Sequence, residues 1–201
     1  MNSLAARDKL FSDLHVAAFK RHGYKKKGHW VTRNFGELTH SFYLRASRFG
    51  SEEKALFWID VQIFSENWHR LVFPERPYKG PSEGPSLYSK ELGSWCVPPQ
   101  GQHAVTSSAD IDALVKELAQ AAEEGALPEL SKCEAPESLL EHLIAKAAED
   151  SSELGIVGLL YLLGREAEAR EHMLKAKSRA AHENELLFLE LRERNIWRNA
   201  A

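Results

Sequence analysis

At 201 residues and 22.7 kDa, with 43% hydrophobic and 27% charged residues, the chain has the balance of a globular protein, long enough for one good core or for one core plus a helical appendage. Its longest apolar run, around residues 156–163, falls far short of the ~20 residues a membrane span needs, which argues against a helical membrane protein. The net charge of −3 hides a polarity: residues 1–50 carry ten Lys/Arg against three Asp/Glu, while residues 109–153 carry twelve acids against three lysines. Such a basic head and acidic middle either complement each other within one fold or mark separate contact surfaces.

In chain order, residues 3–22 read as an amphipathic helix with Leu4, Leu10, Phe11, Leu14, Ala17, Ala18 and Phe19 at helical spacing. Ser3 is the expected N-cap, and Gly23-Tyr24 the expected Schellman ending. The first turns mix acids and bases and hold no signal-peptide core, so the expected location is the cytoplasm. Lys25, Lys26 and Lys27 lead into a short strand at 29–34, and Asn34-Phe35-Gly36 reads as a turn.

Two longer strands follow. In residues 38–46, Leu38, His40, Phe42 and Leu44 share one face, with Thr39, Ser41, Tyr43 and Arg45 on the other. Residues 55–64 put Phe57, Ile59, Val61 and Ile63 on one face and Leu56, Trp58, Asp60, Gln62 and Phe64 on the other, the pattern of a central strand. From 65 to 101 the pattern loosens. Residues 73–86, rich in Pro and Gly, read as a long mobile surface loop, and residues 94–97 as an edge strand before Pro98-Pro99. His103 to Val105 extends it.

Helices dominate the rest. One starts at Ser108-Ala109-Asp110 and is expected to stop at Gly125, with Ile111, Leu114, Val115 and Leu118 as its buried stripe. Pro136 opens a second. Ser151-Ser152-Glu153 opens a very apolar third that stops at Gly164, and two more cover 166–180 and 184–197. The expected fold is α+β: an N-terminal helix packed on a 3–4-stranded antiparallel meander, followed by an all-helical C-terminal third. The expected division is an α+β domain at 1–130 and helical hairpins at 131–201.

Gly23-Tyr24-Lys25-Lys26-Lys27, His29-Trp30, the strand pair at 39–44 and 56–64, Trp95, and Asp110-Ile111-Asp112 opening a helix that ends near Leu127-Pro128 stand in a telling order. Over about residues 4–144 that order resembles the bacterial domain of unknown function 4304 family. The resemblance implies a small α+β domain with a helix packed on an antiparallel sheet, and it brings no activity or active-site residue. Separately, Leu162-Leu163-Gly164-Arg165-Glu166-Ala167-Glu168-Ala169-Arg170, with Met173 and Ala176, is similar to the middle of a tetratricopeptide repeat. Only one unit is visible where a solenoid needs about three, which implies a lone helix hairpin near 154–180.

For chemistry the sequence offers little. The histidines form no HxxxH or HxH, and Cys96 and Cys133 form no CxxC and read as reduced, buried thiols. No GxSxG, phosphate-binding loop or dinucleotide fingerprint occurs, so no catalytic residue, metal or cofactor is assigned. One candidate ligand-binding set is Tyr43, Arg45, Trp58, Asp60 and Gln62, with Asp60 the one acid inside a strand. A structural ion pair is its plainer reading, and full burial is expected for Trp58. A basic patch of Lys20, Arg21, Lys25, Lys26, Lys27 and Arg33, interleaved with Tyr24 and Trp30, has the elements of a phosphate and base contact. The acidic overall balance and the pI of about 6.3 weigh against nucleic acid. The expected function is a non-enzymatic binding or interaction module with a protein partner, in one form an immunity-type protein that masks a basic toxin with its acidic helices. The alternative is an enzyme or small-ligand binder with a pocket around Asp60.

Overall fold

The computed structural model describes residues 2–81, 84–146 and 153–198. Its first helix, α1 (Ser3–Leu14), runs on through a π turn at His15–Phe19 and a 3-10 turn at Lys20–His22. The cap is Asn2, whose Oδ1 accepts from the Ala5 N–H at 2.9 Å. Ser3, the expected cap, is instead the first helical residue. The loop before the fourth strand supplies its partners: the hydroxyl donates to Ser51 O at 2.7 Å and the N–H to Glu52 O at 3.1 Å. The far end is a Schellman motif, with Gly23 at φ 79 and N–H groups of Gly23 and Tyr24 donating to Lys20 O and Phe19 O.

Six strands form one antiparallel sheet: β1 (Lys25–Lys27), β2 (Trp30–Phe35), β3 (Leu38–Ala46), β4 (Lys54–Ser65), β5 (Tyr88–Glu91) and β6 (His103–Thr106). The order is β1-β2-β3-β4-β5, and β6 pairs with β4. The expected meander is its middle. The lysines expected as a lead-in make β1, which pairs Lys27 with Trp30 across a two-residue turn opened by Gly28 at φ 57. Three lysines on so short an edge strand discourage edge-to-edge pairing with another chain. At β4, Lys54 to Phe57 pair with β6.

The chain divides into two compact units. The first comprises Met1–Asn34, Thr39–Ile63 and Ser89–Ser131. Its core joins Leu10, Phe11, Leu14 and Phe19 of the N-terminal helical stretch to Val31, Phe42, Leu44, Phe57, Ile59 and Val61 of the sheet, all buried. Phe42 stacks on Phe19 with centroids 4.1 Å apart and meets Tyr24 edge-on at 5.5 Å. Residues 94–97, expected as a strand, belong instead to a 3-10 turn (Leu92–Trp95) and the bend after it.

Helix α3 (Ile111–Ala121) starts at Asp110, which caps it through Oδ1 to the Ala113 N–H at 3.0 Å; Ser108 lies outside it. Gly125 does not end it. The helical path continues through a π turn (Ala122–Ala126) into α4 (Leu127–Leu130). Gly125 is small because the Trp95 ring presses on it: a Cβ there would lie 2.3 Å from Trp95 Cδ1. Val115 and Leu118 are buried as expected, whereas Ile111 and Leu114 are half-buried.

The second unit comprises Phe35–Leu38, Phe64–Tyr88 and Lys132–Ala201. It contains a helix where the sequence pattern assigns no element, α2 (Glu66–Val72), capped by Ser65 Oγ accepting from Trp68 N–H at 3.2 Å. Trp68, Leu71 and Val72 fall at three- and four-residue spacing and are buried. The loop after it folds back: His69 Nε2–H donates to Arg76 O at 2.9 Å and the Tyr78 ring lies 5.2 Å from the His69 ring. Loop residues 82 and 83 lie outside the described residues, as do Ser151 and Ser152, expected to open a helix.

Helices α5 (Pro136–Lys146), α6 (Glu153–Leu162), α7 (Glu166–Arg179) and α8 (Glu183–Arg198) complete the unit. Trp68 Nε1 donates to Leu154 O at 3.1 Å. Its ring lies where a Cβ on Gly158 would fall, 2.4 Å from Cδ1. Gly164, at φ 74, ends the α6 stretch with a second Schellman pair, its own N–H to Tyr161 O and that of Arg165 to Leu160 O. No helix among the described residues is long and apolar enough to cross a membrane.

Candidate functional site

Strand alternation sets two faces on the first unit's sheet. One is the core face. On the other, Trp30 of β2 stacks on Tyr43 of β3, centroids 4.2 Å apart and planes 17° from parallel. Beside them Arg45 of β3 lies over the Trp58 ring of β4 at 4.4 Å. Its guanidinium grips Asp60 with two bonds, Nε to Oδ2 at 2.7 Å and Nη2 to Oδ1 at 2.9 Å. Nη2 also donates to Glu91 Oε1 of β5 at 2.9 Å.

Three strands therefore hold one planar cation between a ring and two carboxylates. The Asp60 bond, with Glu91 behind it, raises the Arg45 pKa above its usual value, so the side chain stays charged. Asp60 is 7% exposed, and both its oxygens accept from Arg45. Trp30, Tyr43, Arg45 and Trp58 are each half-buried; full burial of Trp58 is not observed, and the cover over its ring includes the Arg45 guanidinium, itself half-exposed. Gln62 continues the face. Its Oε1 and the nearby hydroxyl of Ser41 have no hydrogen-bond partner among the described residues.

Sequence reasoning missed Glu91. Its only signal was opposite charge, because it stands 31 residues beyond Asp60 and its strand is four residues long. A cavity of about 330 Å³ lies away from this cluster, lined by Leu4, Arg7, Ser47, Gly50, Ser51, Glu52, Ala55 and Leu56.

The basic patch is split by the fold. Arg21 pairs with Glu123 at 2.7 Å, and His22 meets the same carboxylate at 3.1 Å. Burial, the largest influence, acts upward on the Glu123 carboxyl, but the hydrogen bonds from Arg21 and His22 hold it below its usual value. Lys26 lies over the Phe11 ring at 5.8 Å, Arg33 is half-buried, and Lys20, Lys25 and Lys27 are exposed. The aromatics expected among them are elsewhere engaged: Tyr24 is 4% exposed against Phe19 and Phe42, and Trp30 stacks on Tyr43.

Among the described residues no group of three or more His, Cys, Asp or Glu is placed to hold a metal ion. Cys96 and Cys133 are free and buried. Burial first, then Glu117, pushes the Cys96 thiol up to about 11, so it is a poor nucleophile at neutral pH.

The family model described as Domain of unknown function (DUF4304) matches residues 15–132, more than half of the chain. The chain belongs to the DUF4304 family. The DUF4304 match takes in all six strands, and with them the whole cluster from Trp30 to Glu91. No curated protein and no solved structure matches the chain.

Proposed function

We propose that this DUF4304 chain is a non-enzymatic binding module that receives a protein partner on the face formed by Trp30, Tyr43, Arg45 and Trp58. The observation that carries the reading is Arg45, held over Trp58 by Asp60 and Glu91. Trp, Tyr and Arg are the residues over-represented among binding hot spots. A guanidinium already fixed on three sides loses little further freedom when a partner covers it. An immunity-type role fits within this reading, but its acidic helices are a poorer contact surface than the sheet face. Glu123 is committed to Arg21 and His22, Glu129 lies 3.9 Å from Lys90, and Glu117 accepts from Gln100.

A small ligand near Asp60 is the second reading, favoured by the unmet polar atoms of Ser41 and Gln62. The test is capture from lysate of the native host with the tagged full chain, its Arg45→Ala and Trp58→Ala variants, and a Glu124→Gln/Glu134→Gln/Glu137→Gln variant. A protein retained by the wild type and the acid variant but lost by the face variants supports the proposal. Loss in the acid variant alone moves the interface to the helices, and no retained protein at all removes the reading.

A further inference from the structure

We propose that two copies of the chain associate through α8, paired antiparallel about a two-fold axis near Leu187 and Leu191. One side of α8 is fastened within its own unit. Leu189, Arg192 and Ile196 are buried; Arg192 Nη1 donates to Val72 O at 3.1 Å and Glu75 Oε1 at 2.6 Å, and its guanidinium lies over Phe73 at 4.2 Å. Trp197 Nε1 donates to Glu166 at 3.2 Å.

The opposite side is bare. Leu187 is 52% and Leu191 44% exposed, whereas the ring of Phe188 between them, 40% exposed, turns to the fastened side, where the Arg192 guanidinium lies over it at 4.8 Å. Residues 184, 187, 191, 194 and 198 alternate three- and four-residue steps, the spacing of a helix–helix seam, and all five are exposed. The two leucines sit at the centre of that seam.

Charge selects the occupant. The exposed side carries Glu183 at its start and Arg194 and Arg198 at its end, and none of the three makes an ion pair among the described residues. A parallel copy would set arginine against arginine. An antiparallel copy sets acid against base at both ends, as an isologous contact requires. At a rise of about 1.5 Å per residue, Glu183 lies about 9 Å from the seam's midpoint at residue 189. Arg194 and Arg198 of the second copy lie about 7.5 and 13.5 Å on the same side of that midpoint, so Glu183 falls between them. A seam centred on two leucines is short, so the association is weak and depends on concentration.

Sedimentation velocity and light scattering on the purified full chain over a concentration series test this. The wild type is expected to shift from monomer to dimer. Leu191→Glu is expected to stay monomeric with an unchanged melting temperature, since the side chain is exposed. Arg194→Glu/Arg198→Glu is expected to weaken association by roughly tenfold or more, and adding Glu183→Arg to restore it. A wild type that is monomeric up to its solubility limit overturns the proposal, as does a dimer indifferent to Leu191→Glu. Failure of Glu183→Arg to restore association overturns the antiparallel arrangement. A different protein that needs Leu191 while the chain itself stays monomeric assigns the seam to that partner and also overturns self-association.

Discussion

Arg45 and Trp58 show how a side chain's role follows from what lies on its outer surface. Truncating a fully buried tryptophan costs roughly 3–5 kcal/mol, but Trp58 is half-buried under a guanidinium. Trp58→Ala should therefore cost about 1–2 kcal/mol, lowering the melting temperature by a few degrees without unfolding the chain. Complete loss of the cooperative transition would show that the ring is a core element after all. Arg45→Ala leaves Asp60 as a buried carboxylate without its two donors, a loss of about 1–3 kcal/mol after allowing for the arginine's own exposure. Asp60→Asn on that background should recover part of it in urea melts, and no recovery would mean that the charge of Asp60 is not what suffers. His103 is a different case, 3% exposed with neither ring nitrogen hydrogen-bonded among the described residues. Burial lowers its pKa from the usual 6.5 against the upward pull of Glu117 and Glu91. Below about pH 6.5 the unfolded chain binds a proton there that the folded chain refuses, so stability is full above that pH and falls as pH drops toward the lowered value. Urea midpoints measured from pH 7.5 to pH 5 should show this decline, and His103→Leu should flatten it; an equally steep decline in the variant would place the titrating group elsewhere.

The elements were legible where a period could be read over many residues. The alternation in 38–46 and 55–64 located β3 and β4, and the i, i+3, i+4 pattern with Gly23 located α1 and its ending. Short elements escaped because their signals were short too: α2 has seven residues and β5 four, on either side of the proline- and glycine-rich residues 74–85. The candidate set Tyr43, Arg45, Trp58, Asp60 and Gln62 was legible on one side of β3 and β4, but its extension by Trp30 and Glu91 was not, because those two arrive from other strands. Gly125 shows why a local rule misled. Glycine after a helical run predicts a stop, yet here it admits the Trp95 ring into a helix that continues. Gly125→Ala gains roughly 1 kcal/mol of helix propensity but sets a Cβ 2.3 Å from Trp95 Cδ1. The clash should win, for a net loss of about 1–3 kcal/mol in thermal or urea melts. With Trp95→Ala already in place, the same glycine substitution should be neutral or stabilising. If Gly125→Ala stabilises the otherwise native chain, the ring does not press on the helix.

At the scale of the whole molecule, two facts lay beyond any local pattern. The basic head and the acidic stretch meet at one point inside the first unit, where Glu123 pairs with Arg21 and His22 about a hundred residues away. The second unit is discontinuous: residues 64–88, which hold α2, pack with residues beyond 131. No periodicity announces a bond such as Trp68 Nε1 to Leu154 O, 86 residues apart. The family match ends at residue 132, close to where the C-terminal helices begin, so a chain cut there looks complete by sequence. It would lack the cover of α2. Trp68, Val72, Phe73 and Leu87 are each 5% exposed or less, and part of that cover comes from Leu154, Gly158 and Arg192. At about 25 cal/mol per Å², uncovering four large apolar side chains forfeits several kcal/mol, much of a typical domain's stability. Residues 1–131 expressed alone should aggregate or bind an apolar dye strongly, with Trp68 emission shifted to the red. Residues 132–201 supplied as a separate chain should reduce the dye signal. A 1–131 fragment that melts like the full chain and ignores the dye would show that α2 holds its place without the C-terminal helices.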